Sequence, residues 1–154
     1  MSKLLRIPLE RRGVSCTARL LEKDAPRTCA AVWEARADGP LGGPAQHAEY
    51  ARNEVYTMVS RFGSIGRANT TVTPIPGDVC LFDFAGGVLD TAFEADLAIF
   101  HGRNNLLING DVGWVPGNVF GAIRDGLDGM AEACHDVWRS GSVGERSVYS
   151  RVDA

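Results

Sequence analysis

The stretch PAQHAEYARNEVYTMV, residues 44–59, crowds His47, Glu49, Glu54 and Tyr56 into a short span, and His101 follows later in the segment IFHG. Imidazole titrates near neutral pH, so either histidine could act as a general base or proton donor, with a neighbouring carboxylate fixing its tautomer. Two histidines and a glutamate also make up a metal-ligand set, although the spacing matches no recognised ligand motif. A third chemistry is recognition, because a small carboxylate or amide needs only a few converging polar groups. In extended backbone residues 45, 47 and 49 share one face and residues 46, 48 and 50 the other. If two strands run through this stretch, one wall holds His47, Glu49, Glu54 and Tyr56, and His101 reaches it from a third strand. A solvated sheet face shows the same alternation of polar residues, so a structural reading stands beside the ligand-binding one.

Other reactive side chains are less suggestive. Cys134 and His135 are adjacent on a helical stretch, where neighbours point about 100° apart, so they do not form a nucleophile and base pair. Cys16, Cys29, Cys80 and Cys134 form no C-x-x-C pair and each lies in an apolar run, the pattern of buried free thiols. GSIG and GRNN lack the lysine and the strand-loop-helix setting of a phosphate loop. Asp78 follows Pro76 and Gly77 and reads as the cap of that turn, while Trp114 either lines a groove or anchors a loop. No cofactor motif is present.

Strands must carry most of these residues. Leu4 to Leu9 and VSCTARLL after Gly13 alternate with period two and predict an opening hairpin. KDAPRTCAAVWEARADG then changes period: Asp24 is an N-cap candidate, Pro26 suits a first turn, and Gly39 follows the end of a helix. GPLGGP, residues 39–44, has the composition of a turn. AQHAEY, EVYTMV, TTVTPI, VCLFDF, LAIFHG and LLING read as further strands, with RFGSIGRAN a loop and AGGVLDTAFEAD an excursion. Pro116-Gly117-Asn118 introduces a second helix, in which Val119, Ile123, Leu127, Met130, Cys134 and Val137 share one face.

The last segment, SGSVGERSVYSRVDA, is polar and reads as a mobile tail of residues 141–154 beyond a barrel domain of residues 1–140. Its SVYSRV could add a strand to a partner's sheet edge, which makes an oligomeric interaction protein without catalysis the second functional reading. Seven or eight short strands and two helices point to a mainly β protein, a small closed barrel with helical caps.

With 154 residues, 16 basic and 19 acidic side chains well mixed and a net charge of −3, the chain offers no basic footprint for nucleic acid or an anionic membrane. No secretory signal or membrane-length apolar run is visible, so a cytoplasmic protein is expected.

The order strand, strand, LLEKDAPRTCAAVWEA, strand resembles the start of cyclophilins, and PGDVCLFDF and ADLAIFHGRNN fall where barrel strands of that fold lie. The chain is most similar to the bacterial and archaeal cyclophilin-like proteins of uncharacterised function, over roughly residues 4–110. That resemblance implies a closed cyclophilin-like barrel capped by helices. Cyclophilin isomerases carry an arginine just after a Phe-His pair, then a Phe-x-x-Gln segment. Here Gln46-His47 takes the place of the pair, Ala48 stands where the arginine would be, and no Phe-x-x-Gln follows. The resemblance therefore implies the fold but not prolyl isomerase activity. A barrel that binds a small metabolite through His47, Glu49, Glu54, Tyr56 and His101 is the leading expectation.

Overall fold

The structure, a computed structural model, describes residues 1–35, 40–60, 63, 65–83 and 95–152. β1 (Leu4–Leu9) and β2 (Val14–Leu20) form the expected hairpin, paired from Leu4 opposite Arg19 to Leu9 opposite Val14. Gly13 closes its turn at φ 64°, a conformation that costs glycine little. Cys16, Ala18 and Leu20 point into the core, as the period-two pattern requires.

α1 (Pro26–Ala35) begins where Pro26 lacks only a donor that a first turn leaves unpaired. The Ala25 carbonyl accepts the Cys29 N–H at 2.9 Å, so Ala25 rather than Asp24 holds the N-cap position. Gly39, expected just beyond the helix, lies outside the described residues.

β3 (Leu41–His47) runs through most of the stretch that composition marks as a turn. Its pairing with the last strand of the chain explains the glycines: a Cβ at Gly42 would overlap the Ser147 carbonyl oxygen. Close backbone approach, not a reversal, is what GPLGGP encodes. β4 (Glu54–Val59), β5 (Thr70–Thr71), β6 (Asp78–Asp83) and β7 (Ala95–Phe100) follow. TTVTPI thus gives only a two-residue strand, AQHAEY stops at His47, and residue 84 of VCLFDF and residues 85–94 of the expected excursion lie outside the described residues. Asp78 does cap the turn before β6, its Oδ2 accepting the Ile75 N–H at 2.9 Å. β8 (Ile108–Asn109) and β9 (Gly113–Trp114) make a small separate hairpin.

β10 (Gly117–Asp125) corrects the expected start of the second helix. Residues 117–121 are buried on both faces of the sheet, and a strand covered on both sides shows an apolar run that periodicity alone cannot tell from a helix face. The helix itself, α2 (Leu127–Ser140), starts only after Gly126 turns the chain at φ 80°. It buries Met130, Ala133, Cys134 and Val137 against the barrel.

β11 (Arg146–Arg151) corrects the reading of the final segment as a mobile tail. It sits between β1 and β3, antiparallel to both. Tyr149 is buried in the core, and the Arg151 guanidinium stacks 4.5 Å from the Trp33 ring on α1. The strands run β2-β1-β11-β3-β4-β7-β6-β10, and β10 returns to β2, closing an eight-stranded antiparallel barrel, with β5 added outside the ring on β10. Leu5, Ile7, Leu9, Val55, Leu97, Ile99 and Phe120 are among the side chains that fill its interior. An eight-stranded barrel is just wide enough for such filling. The fold is therefore mainly β with two helices and a solid centre.

Candidate functional site

Because the interior is filled, space for a ligand lies outside the barrel wall. On β4 the residues Val55, Thr57 and Val59 are buried toward the interior, so Glu54, Tyr56 and Met58 project outward. On β7 the alternation puts Leu97 and Ile99 inside and Asp96, Ala98 and Phe100 outside. The register sets Glu54 opposite Phe100, Tyr56 opposite Ala98 and Met58 opposite Asp96. A second apolar cluster, including Ala98, Phe82, Phe100 and Leu107, covers this outer face. Above it lies a groove of about 850 Å³, walled on one side by the loop carrying Glu49 and Tyr50 and on the other by the β8–β9 hairpin with Trp114. Trp114 thus lines a groove, and the residue is 60% exposed.

The charged groups of this groove are mostly acidic. Glu54 and Asp96 are each only 6% exposed, and both border it. Burial pushes the Glu54 carboxyl up to about 8. Asp96 is driven well above the usual carboxylate range, first by burial and then by the charge of Glu54. Asp96 Oδ1 has no hydrogen-bond partner among the described residues. Tyr56 donates its phenolic hydrogen to Gln46 Oε1 at 2.9 Å. Its pKa is raised by burial and then by Asp96, Glu54 and Glu49. Among the described residues lining the groove, Arg67 is the single Lys or Arg side chain.

The histidines form a separate cluster on the inner side of the wall, beneath α2. His47 Nε2 and His101 Nε2 lie 3.0 Å apart, and His47 Nδ1 lies 2.9 Å from the Ala48 carbonyl oxygen. A carbonyl can only accept, so Nδ1 of His47 carries the hydrogen and its Nε2 offers a lone pair. His101 must then donate from Nε2, leaving its Nδ1 bare. That nitrogen is buried without a hydrogen-bond partner among the described residues. From α2, His135 packs edge-on against His101 with ring centroids 4.8 Å apart, and Trp138 lies 5.0 Å from His47. Burial lowers the His101 pKa to about 3, with the charges of His47 and His135 adding to the effect. His47 is also lowered, by burial first. Among the described residues, no group of three or more His, Cys, Asp or Glu is arranged to hold a metal ion.

Residues 7–149 match the DUF3830 family, described as a protein of unknown function. The chain belongs to that family. No curated protein matches the DUF3830 chain. Among solved structures it resembles McbB in complex with tryptophan, with a TM-score of 0.67 and 16% identity over 94% of this chain and 43% of that one. The chain therefore spans less than half the length of McbB. It also resembles the cyclophilin-type peptidyl-prolyl cis-trans isomerase of Cryptosporidium parvum, with a TM-score of 0.58, 12% identity, and coverage of 100% of this chain and 99% of that one. At such identities the likeness concerns the fold, and the fold is cyclophilin-like.

The DUF3830 barrel divides the residues singled out in the sequence. Glu49, Glu54 and Tyr56 line the outer groove, while His47 and His101 meet each other on the inner side. They do not form one wall, because His47 shares the parity of the core residue Ala45 and Glu54 the parity of the outward Tyr56. His47 marks where the two sites adjoin, since it also borders the groove. Three participants are not apparent in the sequence. Asp96 sits in the run ADLAIF as a lone acid among buried residues, and that isolation is the signal available. Gln46 falls on the far face of its strand from His47, and His135 has no sequence neighbour that would reveal its partners.

Proposed function

We propose that this protein binds a small metabolite in the outer groove of its barrel. The supporting observation is the groove itself: about 850 Å³ over an apolar and aromatic floor, with Gln46, Glu54, Tyr56 and Asp96 converging from adjacent strands. A mostly apolar concavity with a few placed polar groups is the usual form of a small-molecule site. McbB, of the same fold, is known with tryptophan bound. Of the carboxylate and amide ligands that the sequence suggested, the groove favours those with N–H groups. A carboxylate would face Glu49, Glu54, Asp83, Asp96 and Asp111 along the lining, with Arg67 as its one described cationic partner there.

Prolyl isomerase activity gains no support, since the arginine that the cyclophilin pattern requires is replaced by Ala48, itself a lining residue. Assembly by strand addition from the tail loses its motive, because β11 is already paired on both sides.

The test is a thermal-shift screen of amines, amides and carboxylates on the wild type and on Met58→Trp, which places an indole in the groove. A ligand at a hundred times its Kd adds about 2.7 kcal/mol, a rise of roughly 5–10 °C for a chain of this size. A rise in the wild type that Met58→Trp abolishes supports the groove; an equal rise in both places the ligand elsewhere.

A further inference from the structure

The groove holds two buried carboxyls that form no ion pair among the described residues. Glu54 and Asp96 are both more than nine-tenths buried and stand on neighbouring strands. Asp96 Oδ1, on the groove face of β7, lacks any hydrogen-bond donor among those residues. Burying an ionised carboxylate unpaired costs several kcal/mol, and an unpartnered buried acceptor adds to that cost. Natural chains tolerate such an arrangement where a ligand completes it. The missing group is a positively charged donor.

The rest of the lining fits the body of such a ligand. Phe82, Tyr56 and Trp114 present aromatic surface in the same groove, and a ring face attracts a cation as well as an apolar body. Resting on the groove reading above, we infer that the site takes a small organic ammonium ion with an aromatic or apolar body, its charged nitrogen seated between Glu54 and Asp96.

Binding has a proton signature. In the free protein, burial and mutual repulsion keep at least one proton on the pair at neutral pH. An arriving ammonium stabilises the ionised form, so the proton leaves to solvent and affinity rises with pH until the pair is ionised without help. Among the described residues, the other titratable or charged groups facing the pair or the groove are His47, Glu49, Tyr50, Tyr56, Arg67, Cys80, Asp83 and Asp111. None of the carboxylates among them lies as deep in the wall as Glu54 and Asp96.

The experiment compares three probes that share an indole ring: tryptamine, a cation; indole-3-acetamide, neutral; and indole-3-acetate, an anion. Titration calorimetry with the full chain is run at pH 6, 7 and 8 in two buffers of different ionisation enthalpy. Tryptamine is expected to bind roughly tenfold tighter than the amide, with the acetate weakest. About one proton should be released per tryptamine bound near pH 7. Glu54→Gln and Asp96→Asn, near-isosteric changes that remove a charge from the wall, should each erase the preference for tryptamine over the amide. Tighter binding of the amide or the acetate in the wild type would overturn the ammonium assignment while leaving the groove as a binding site. A preference for tryptamine that survives in both variants would overturn it equally. If none of the three probes binds at any pH, the assignment and the groove reading fall together.

Discussion

At the scale of the residue, two buried clusters of opposite character sit on either side of one wall, and they set opposite limits on stability. His101 and His47 keep their neutral forms in the folded state, with pKa values below that of an unfolded histidine. Between about 3 and 6.5 the unfolded chain therefore binds more protons than the folded one, and stability falls as pH drops through that range. Glu54 and Asp96 do the reverse. Their folded pKa values are raised, so their contribution is fully present below the ordinary carboxylate range and is lost as pH rises above it, for Glu54 through about 8. Between about pH 4 and 6.5 the two effects oppose each other, and above 6.5, where the histidine contribution is complete, melting temperature should fall as pH rises through about 8. His101→Phe should flatten the acid limb and Glu54→Gln the alkaline one, each leaving the other limb in place. Melting curves from pH 4.5 to 9 check this, and a profile that neither variant alters would refute the assignment of the limbs.

At the scale of the element, the instructive cases are those where composition and geometry part. GPLGGP has every mark of a turn, yet Leu41–Pro44 pairs with β11 over residues 146–149. Only long-range contact explains Gly42: its φ is 137°, and a Cβ there would meet the backbone of Ser147. Gly43, next to it, has open space where its Cβ would stand. Gly42→Ala is therefore expected to cost about 3 kcal/mol, a fall of roughly 6–12 °C in Tm, and Gly43→Ala less than about 1 kcal/mol. Denaturant unfolding of the two variants distinguishes them; equal losses would mean that strand pairing, not close approach, governs the site. The first half of β10 misleads for a related reason. Gly117–Gly121 is covered on both faces, so the alternation that identifies a half-buried strand is absent and helical spacing can be read into it. Where one face is wet, as in β2, or α2 carries a full apolar stripe, the pattern reads correctly.

At the scale of the whole molecule, the barrel class was legible because closed sheets leave a regular trace of short strands and turns. The division of the candidate site was not. His47 and Glu54 lie on different strands, and which face each presents depends on the β3–β4 and β4–β7 registers, which no local pattern encodes. Closure was hidden for the same reason, since SVYSRV is polar at alternate positions and its partners, β1 and β3, lie far away in the chain. Yet β11 is where the ring depends on a single strand. Buried Glu145 just before it accepts the Arg11 N–H and the Arg12 guanidinium, both at 2.8 Å, tying the hairpin turn to the incoming strand. Ending the chain at Gly144 removes these contacts together with Tyr149 and the pairing on both sides, leaving β1 and β3 as open edges. The loss is comparable to the whole stability of a domain, about 5–15 kcal/mol. Such a chain should show no cooperative unfolding and should associate through its edges, and a peptide of residues 145–152 added in trans should restore a melting transition. A truncated chain that stays monomeric and melts like the full one would show that seven strands can hold this core unaided.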